Sequence, residues 1–299
     1  MMKRMAAAVL LCLLLFVLAG CGQQKETAPA IADVVQEKPD TCTCSFDGVK
    51  HTFLLELPEE TEDAPLVIML PGYGNTAEAF RTEIHFERDA NPLGYAVVYV
   101  TGAPDPGSAT SSVGWNSEAG TGGNRDVEFL TALARYLQET YSLDRNRCYV
   151  VGFSNGAFMT HRLAMEASDT FQACVSVAGL MKQSVWDLRR ENNTVGFFQI
   201  TGDKDDVVPK NSDGSARYAN APAIEDVMEY WAASNGLDRS ETVPVGVASV
   251  MTRYTGVDKP QQVWHLVVSN GHHSWPSERF HQINTNALIL EFLDAQKEE

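Results

Sequence analysis

Residues 150–159 read VVGFSNGAFM and place Ser154 between Gly152 and Gly156, where an apolar run passes into a helical pattern. A tight strand-to-helix bend presents such a hydroxyl to solvent and tolerates only small neighbours; it also aims the amino end of the following helix, NGAFMTHRLAME, at the serine. A serine hydroxyl is a poor nucleophile alone, so the chain must also supply a general base and an acid that holds the base. Both are expected in loops after later strands, the acid before the histidine. ITGDKDDVVP (200–209) offers Asp203, Asp205 and Asp206, and SNGHHSWP (269–276) offers His272 and His273. Each signal alone has a plainer reading: a chance Gly-x-Ser-x-Gly, a solvated acidic turn, a polar surface pair. Their shared order and placement point instead to acyl transfer, with the histidine taking and returning the serine proton and the acid fixing its tautomer. Acyl transfer also needs donors for the developing oxyanion. The candidates are the backbone N–H groups of Asn155 and of Tyr73 in MLPGYGN (69–75), where Gly72 and Gly74 let the chain approach a substrate.

These residues need a scaffold, and the chain spells one out. Short apolar runs at 65–70, 95–100, 147–153, 171–179, 196–202 and 262–269 alternate with helical patterns at 126–141, after Ser154, at 223–234 and at 277–296. Alternation of this kind predicts parallel strands with crossover helices, and the near-continuous apolarity of the runs suits a sheet covered on both faces. FDGVKHTFLLELP (46–58), with Asp-Gly before alternating residues, predicts an antiparallel edge hairpin. At 299 residues and 44% apolar, the chain can bury one large core, and one α/β domain is expected over 45–299.

The amino terminus reads differently. A basic MMKRM, an apolar AAAVLLCLLLFVL and LAGC together predict an export signal over residues 1–20. The ending at Cys21 resembles the bacterial lipoprotein signal, which makes Cys21 the lipidated first residue of the mature chain and residues 21–44 a polar tether. Loss of Lys3 and Arg4 with the signal takes the net charge from −16 to −18. Such an acidic chain is not expected to bind nucleic acid, and its contact with a membrane is expected through the lipid anchor only. Cys148 and Cys174 fall in strand-like runs and read as buried thiols, and no Cys/His spacing suggests a metal site.

LPGYGN, GWN (114–116), GFSNGAFMTHRLA, GDKDDVVP and GHHSWP together resemble the exported esterases grouped with feruloyl esterases, acetyl xylan esterases and polyhydroxybutyrate depolymerases. The resemblance spans about residues 46–297 and implies the α/β-hydrolase fold, a serine esterase and no cofactor. It implies Asp205 as the acid, four residues before the loop proline, and His273 as the base, before x-Trp-Pro. Pro71 stands where the family's oxyanion loop carries histidine, and Gly114 where some depolymerases carry cysteine. Trp115 and Asn116, in the glycine-rich loop 113–124, and Trp275, beside His273, are candidates to line the substrate pocket, with simple packing as the other reading. Asp126 is expected to cap the helix that follows it. The substrate class so implied is a feruloyl, acetyl or related ester of a polysaccharide, or a short hydroxyacyl ester. A serine peptidase on the same fold and a non-catalytic surface binding protein are the rival readings.

Overall fold

The computed structural model of the protein describes residues 29–105, 107–110, 112–209 and 221–297. The export signal expected over residues 1–20 and Cys21 lie outside the described residues. Among the described residues, thirteen strands run in chain order: β1 Ala32–Gln36, β2 Thr41–Phe46, β3 Val49–Glu56, β4 Leu66–Leu70, β5 Ala96–Val100, β6 Ala103–Pro104, β7 Val113–Gly114, β8 Cys148–Phe153, β9 Ala173–Val177, β10 Gly196–Gly202, β11 Arg239–Val245, β12 Ser249–Thr255 and β13 Val263–Val268. The helices are α1 Ala77–Ile84, α2 Phe86–Ala90, α3 Asp126–Tyr141, α4 Asn155–Glu166, α5 Gln183–Trp186, α6 Ile224–Ser234, α7 Glu278–His281 and α8 Thr285–Asp294.

All six apolar runs become neighbouring parallel strands, in the order β5-β4-β8-β9-β10-β13. Antiparallel strands extend both edges, β3-β2-β1 beyond β5 and β12-β11 beyond β13, to give one sheet of eleven strands. β6 and β7 form a separate ribbon. Along β4, Leu66, Ile68 and Leu70 join one core while Val67 and Met69 join the other, the period-two alternation of a strand buried on both sides. Leu130, Leu133 and Leu137 of α3, Met159 and Leu163 of α4 and Trp231 of α6 cover the first face. Phe80 of α1, Phe86 of α2 and Phe292 of α8 cover the second. This mostly parallel sheet with helices on both faces is the α/β-hydrolase fold.

Three sequence expectations need correction. Residues 32–44, expected to belong to a tether, are instead part of the fold, because β1 pairs antiparallel with β2 and both belong to the main sheet. Cys42 and Cys44 therefore lie in the core rather than in a linker. The Asp-Gly hairpin forms as expected, with Asp47 at φ 50° and Gly48 at φ 77° as a primed turn requires, but the sheet edge is β1. The single terminal helix over 277–296 is broken at Gln282, whose φ is 54°, and restarts after Asn284, whose side chain accepts from the Ala287 N–H. Cys148 and Cys174 are buried and unbridged.

Candidate active site

Ser154 sits between β8 and α4 with φ 51° and ψ −116°, a combination that L-residues rarely adopt and that holds about 1–3 kcal/mol of strain. The glycines around it are required by space. A Cβ on Gly152 would lie 2.2 Å from the Gly156 carbonyl oxygen, and one on Gly156 would lie 2.1 Å from that of Leu70. The Ser154 N–H donates to the Val177 carbonyl at 2.9 Å, which ties the bend to β9. These restraints leave the hydroxyl only partly buried, at the carboxyl end of the parallel strands where ligands of such sheets sit.

The loops after β10 and β13 bring the partners. His273 Nε2 lies 2.9 Å from Ser154 Oγ, and His273 Nδ1 lies 2.8 Å from Asp205 Oδ2. An ionised carboxylate only accepts, so Nδ1 carries the proton and Nε2 is left to accept from the serine. The side chain of Asp205 is fully buried, that of His273 16% exposed. Asp205 Oδ1 accepts from the Val207 N–H at 3.0 Å and the Val208 N–H at 2.8 Å. The two loops also grip each other: the Lys204 N–H donates to the Gly271 carbonyl at 2.9 Å, and a Cβ on Gly202 would meet that same oxygen at 2.2 Å. Asp203, Asp206 and His272 are exposed. Of the candidates in these two loops, the structure brings Asp205 and His273 into one hydrogen-bonded chain with Ser154.

Gly72 packs on the nucleophile: a Cβ there would lie 3.3 Å from Ser154 Cβ. In this loop the Gly74 N–H donates to the Val113 carbonyl and the Asn75 N–H to the Gly72 carbonyl. Among the described residues, the N–H groups of Gly72, Tyr73 and Asn155 have no protein acceptor. Gly72 thus adds a third unpaired N–H beside those of Tyr73 and Asn155; its contact with Ser154 is long-range, so no local pattern marks it.

The pocket candidates divide. Trp115 is 6% exposed and belongs to the core, and its indole N–H donates to the Pro71 carbonyl at 3.1 Å. With Tyr73, Asp105, Asn116, Glu118 and Asn124 it lines a cleft of about 410 Å³ beside the oxyanion loop. Trp275 is not among the walls of that cleft. Its ring meets Phe80 at 5.9 Å and Phe153 at 6.5 Å, and its indole N–H donates to Asn286 at 3.2 Å. Phe153 in turn lies 5.2 Å from the His273 ring, so Trp275 backs the base through an aromatic layer. Asp126 does not cap α3: it is the first residue of the helix, and its Oδ2 accepts from the Asn116 N–H at 2.6 Å. Burial pushes its pKa up to about 6, against the lowering effects of that hydrogen bond and of Arg162 nearby.

Comparison with known proteins adds to this geometry. Residues 84–297 match the sequence profile of the prolyl oligopeptidase family. NocK of Nocardia uniformis subsp. tsuyamanensis, a protein named as an esterase, is 26% identical over 241 residues, covering 75% of this chain and 69% of that one. Feruloyl esterase B of Neurospora crassa is 28% identical over 133 residues, 42% of either chain, so the match spans less than half of that esterase. Among solved structures, the acetyl xylan esterase of Aspergillus awamori superposes with a TM-score of 0.56 at 13% identity, over 82% of this chain and 94% of that one. These relatives carry the names to which the motifs led.

Proposed function

The chain belongs to the prolyl oligopeptidase family, and from that premise we propose that it is a serine carboxylic-ester hydrolase working by two-step acyl transfer. His273, oriented by Asp205, deprotonates Ser154, which attacks the ester carbonyl. The N–H groups of Tyr73 and Asn155 hold the oxyanion. His273 then protonates the departing alcohol, and water hydrolyses the acyl-enzyme by the same route. The observation that carries the reading is the hydrogen-bonded chain from Ser154 Oγ to His273 at 2.9 Å and on to Asp205 at 2.8 Å.

The substrate class proposed is a feruloyl, acetyl or related ester of a polysaccharide, or a short hydroxyacyl ester. The names of the relatives support it. So does the cleft beside Tyr73, whose aromatic, amide and carboxylate walls suit an uncharged, hydroxyl-rich group. The family name supports a second reading, hydrolysis of peptides. Acetyl, butyryl, feruloyl and hydroxybutyryl esters assayed beside peptide anilides, with wild type and Ser154→Ala, decide between them. Ester turnover lost in the variant is the expected result, whereas amine release without ester turnover would transfer the site to the peptidase reading. For the amino terminus we propose export by residues 1–20 and lipidation at Cys21, anchoring the enzyme at the outer face of a bacterial cell membrane. Palmitate labelling that persists in Cys21→Ala would refute that anchor.

A further inference from the structure

Between the nucleophile and the oxyanion loop lies a segment that touches both. The Asn155 side chain pairs with the Trp115 backbone from both sides: its Oδ1 accepts from the Trp115 N–H at 2.7 Å, and its Nδ2 donates to the Trp115 carbonyl at 3.2 Å. The indole N–H of Trp115 continues the chain to the Pro71 carbonyl at 3.1 Å. α4 packs close to that carbonyl, since a Cβ on Gly156 would lie 2.8 Å from the Pro71 oxygen. The next peptide of Trp115's segment is pinned as well, with the Asn116 N–H on Asp126 and the Asn116 carbonyl accepting from Arg162 Nη1, each at 2.6 Å. Gly114 makes the fit possible: a Cβ there would strike Tyr73 Cδ2 at 2.8 Å and crowd Asn155 Oδ1 at 3.1 Å.

An oxyanion donor acts only if it stays about 2.7–3.1 Å from where the charge develops. The Asn75 N–H on the Gly72 carbonyl at 3.1 Å and the Gly74 N–H on the Val113 carbonyl at 2.8 Å hold the Tyr73 side of the loop, and the Trp115 indole holds its start at the Pro71 carbonyl. Pro71 contributes no N–H, and its ring holds only its own φ.

Resting on the reading of Ser154 as an acylated nucleophile, we propose that Trp115, besides lining the cleft, is a positioning residue. It is a strut through which the Asn155 side chain sets the Pro71–Tyr73 backbone. Asn155 thereby serves the oxyanion twice: its main chain donates one hydrogen bond, and its side chain, through the indole, keeps the opposite donor at the same point.

The test uses Trp115→Phe, Asn155→Ala and the double variant in the full chain. Fluorophosphonate titration counts competent Ser154, and ester turnover is expressed per titrated site. Each single change is expected to lower kcat by about 10–100-fold, a part of the 100–1,000-fold typical for outright loss of a donor, with KM within about twofold. The Ki of a boronic acid, which forms a tetrahedral adduct on serine, should rise by the same factor. The double variant should be no slower than the slower single one, because both changes break one strut. Unchanged kcat per site with a lower Tm would reduce Trp115 to packing, and a raised KM with unchanged kcat would leave it a pocket wall alone. Losses that multiply in the double variant would also overturn the proposal. If Trp115→Phe does not fold, Asn155→Ala, which keeps its backbone N–H, decides alone. If the wild type labels at Ser154 but turns over no ester, the esterase reading falls. The same fold-changes, read in the rate of fluorophosphonate labelling, then decide the strut. No labelling at Ser154 overturns both.

Discussion

At Asp205 one buried carboxylate accepts from two backbone N–H groups and from His273, so its position is fixed independently of the base it serves. In Asp205→Asn the amide can turn an N–H toward Nδ1 and force the imidazole into the wrong tautomer. We expect kcat to fall by about four orders of magnitude on a soluble ester, with Tm within a few degrees of wild type. Retained turnover would remove Asp205 from the relay. Asp126 gives the residue scale a second test. Its folded pKa of about 6 lies above the ordinary 3.8 because of burial, so the folded state holds its proton more tightly than the unfolded chain does. Its contribution is therefore fully present below about pH 3.8 and lost as pH rises through about 6. Thermal melts between pH 4 and 7 should show wild type gaining on Asp126→Asn as the pH falls, and parallel curves would contradict the buried-carboxylate account.

Elements differ in how openly the sequence announces them. The six central strands are legible because burial on both faces demands unbroken apolar runs. β11 and β12 carry mostly exposed or half-buried side chains in RSETVPV and SVMTRYT, so no apolar run marks them. β1 hides in the same way, as five residues that are exposed apart from Val34, and only pairing with β2 makes it a strand. The break between α7 and α8 is signalled by Asn284 alone. The residues of the proposed relay were legible from order and motif, but choosing Asp205 over Asp206 needed either the resemblance or the fold, since both aspartates occupy one loop. The role of Trp115 was hidden because its partners, Pro71 and Asn155, are 44 and 40 residues away. The elbow between β8 and α4 makes a prediction at this scale. Gly156→Ala would drive a methyl group into the Leu70 carbonyl at 2.1 Å, against backbone that cannot swing aside. A loss of about 3 kcal/mol or more in urea unfolding, or failure to fold, is expected. Wild-type stability in Gly156→Ala would mean that the close approach of helix and strand is not needed.

For the molecule as a whole, acid is the expected weakness. His161 is buried on α4 against the Phe197 ring at 4.7 Å, and His51 stacks on Phe129 at 3.6 Å. Burial lowers their pKa values to about 3 and about 4, from the ordinary 6.5. The unfolded chain therefore takes up these two protons first, so stability present above pH 6.5 is lost as pH falls toward about 4. Asp126 and Glu56, both raised by burial, work in the opposite direction, while Asp40, lowered by its hydrogen bond from Thr41, adds to the histidines. Tm should drop between pH 7 and pH 4, and the drop should shrink in His161→Leu; an unchanged drop would place the acid-sensitive group elsewhere. The measurement that bears most directly on the central claim is kcat/KM on an activated ester for wild type and Ser154→Ala, purified alike and matched in Tm. A fall of about five to six orders of magnitude is the expected result. A folded variant that keeps its turnover would contradict the relay built on Ser154, His273 and Asp205.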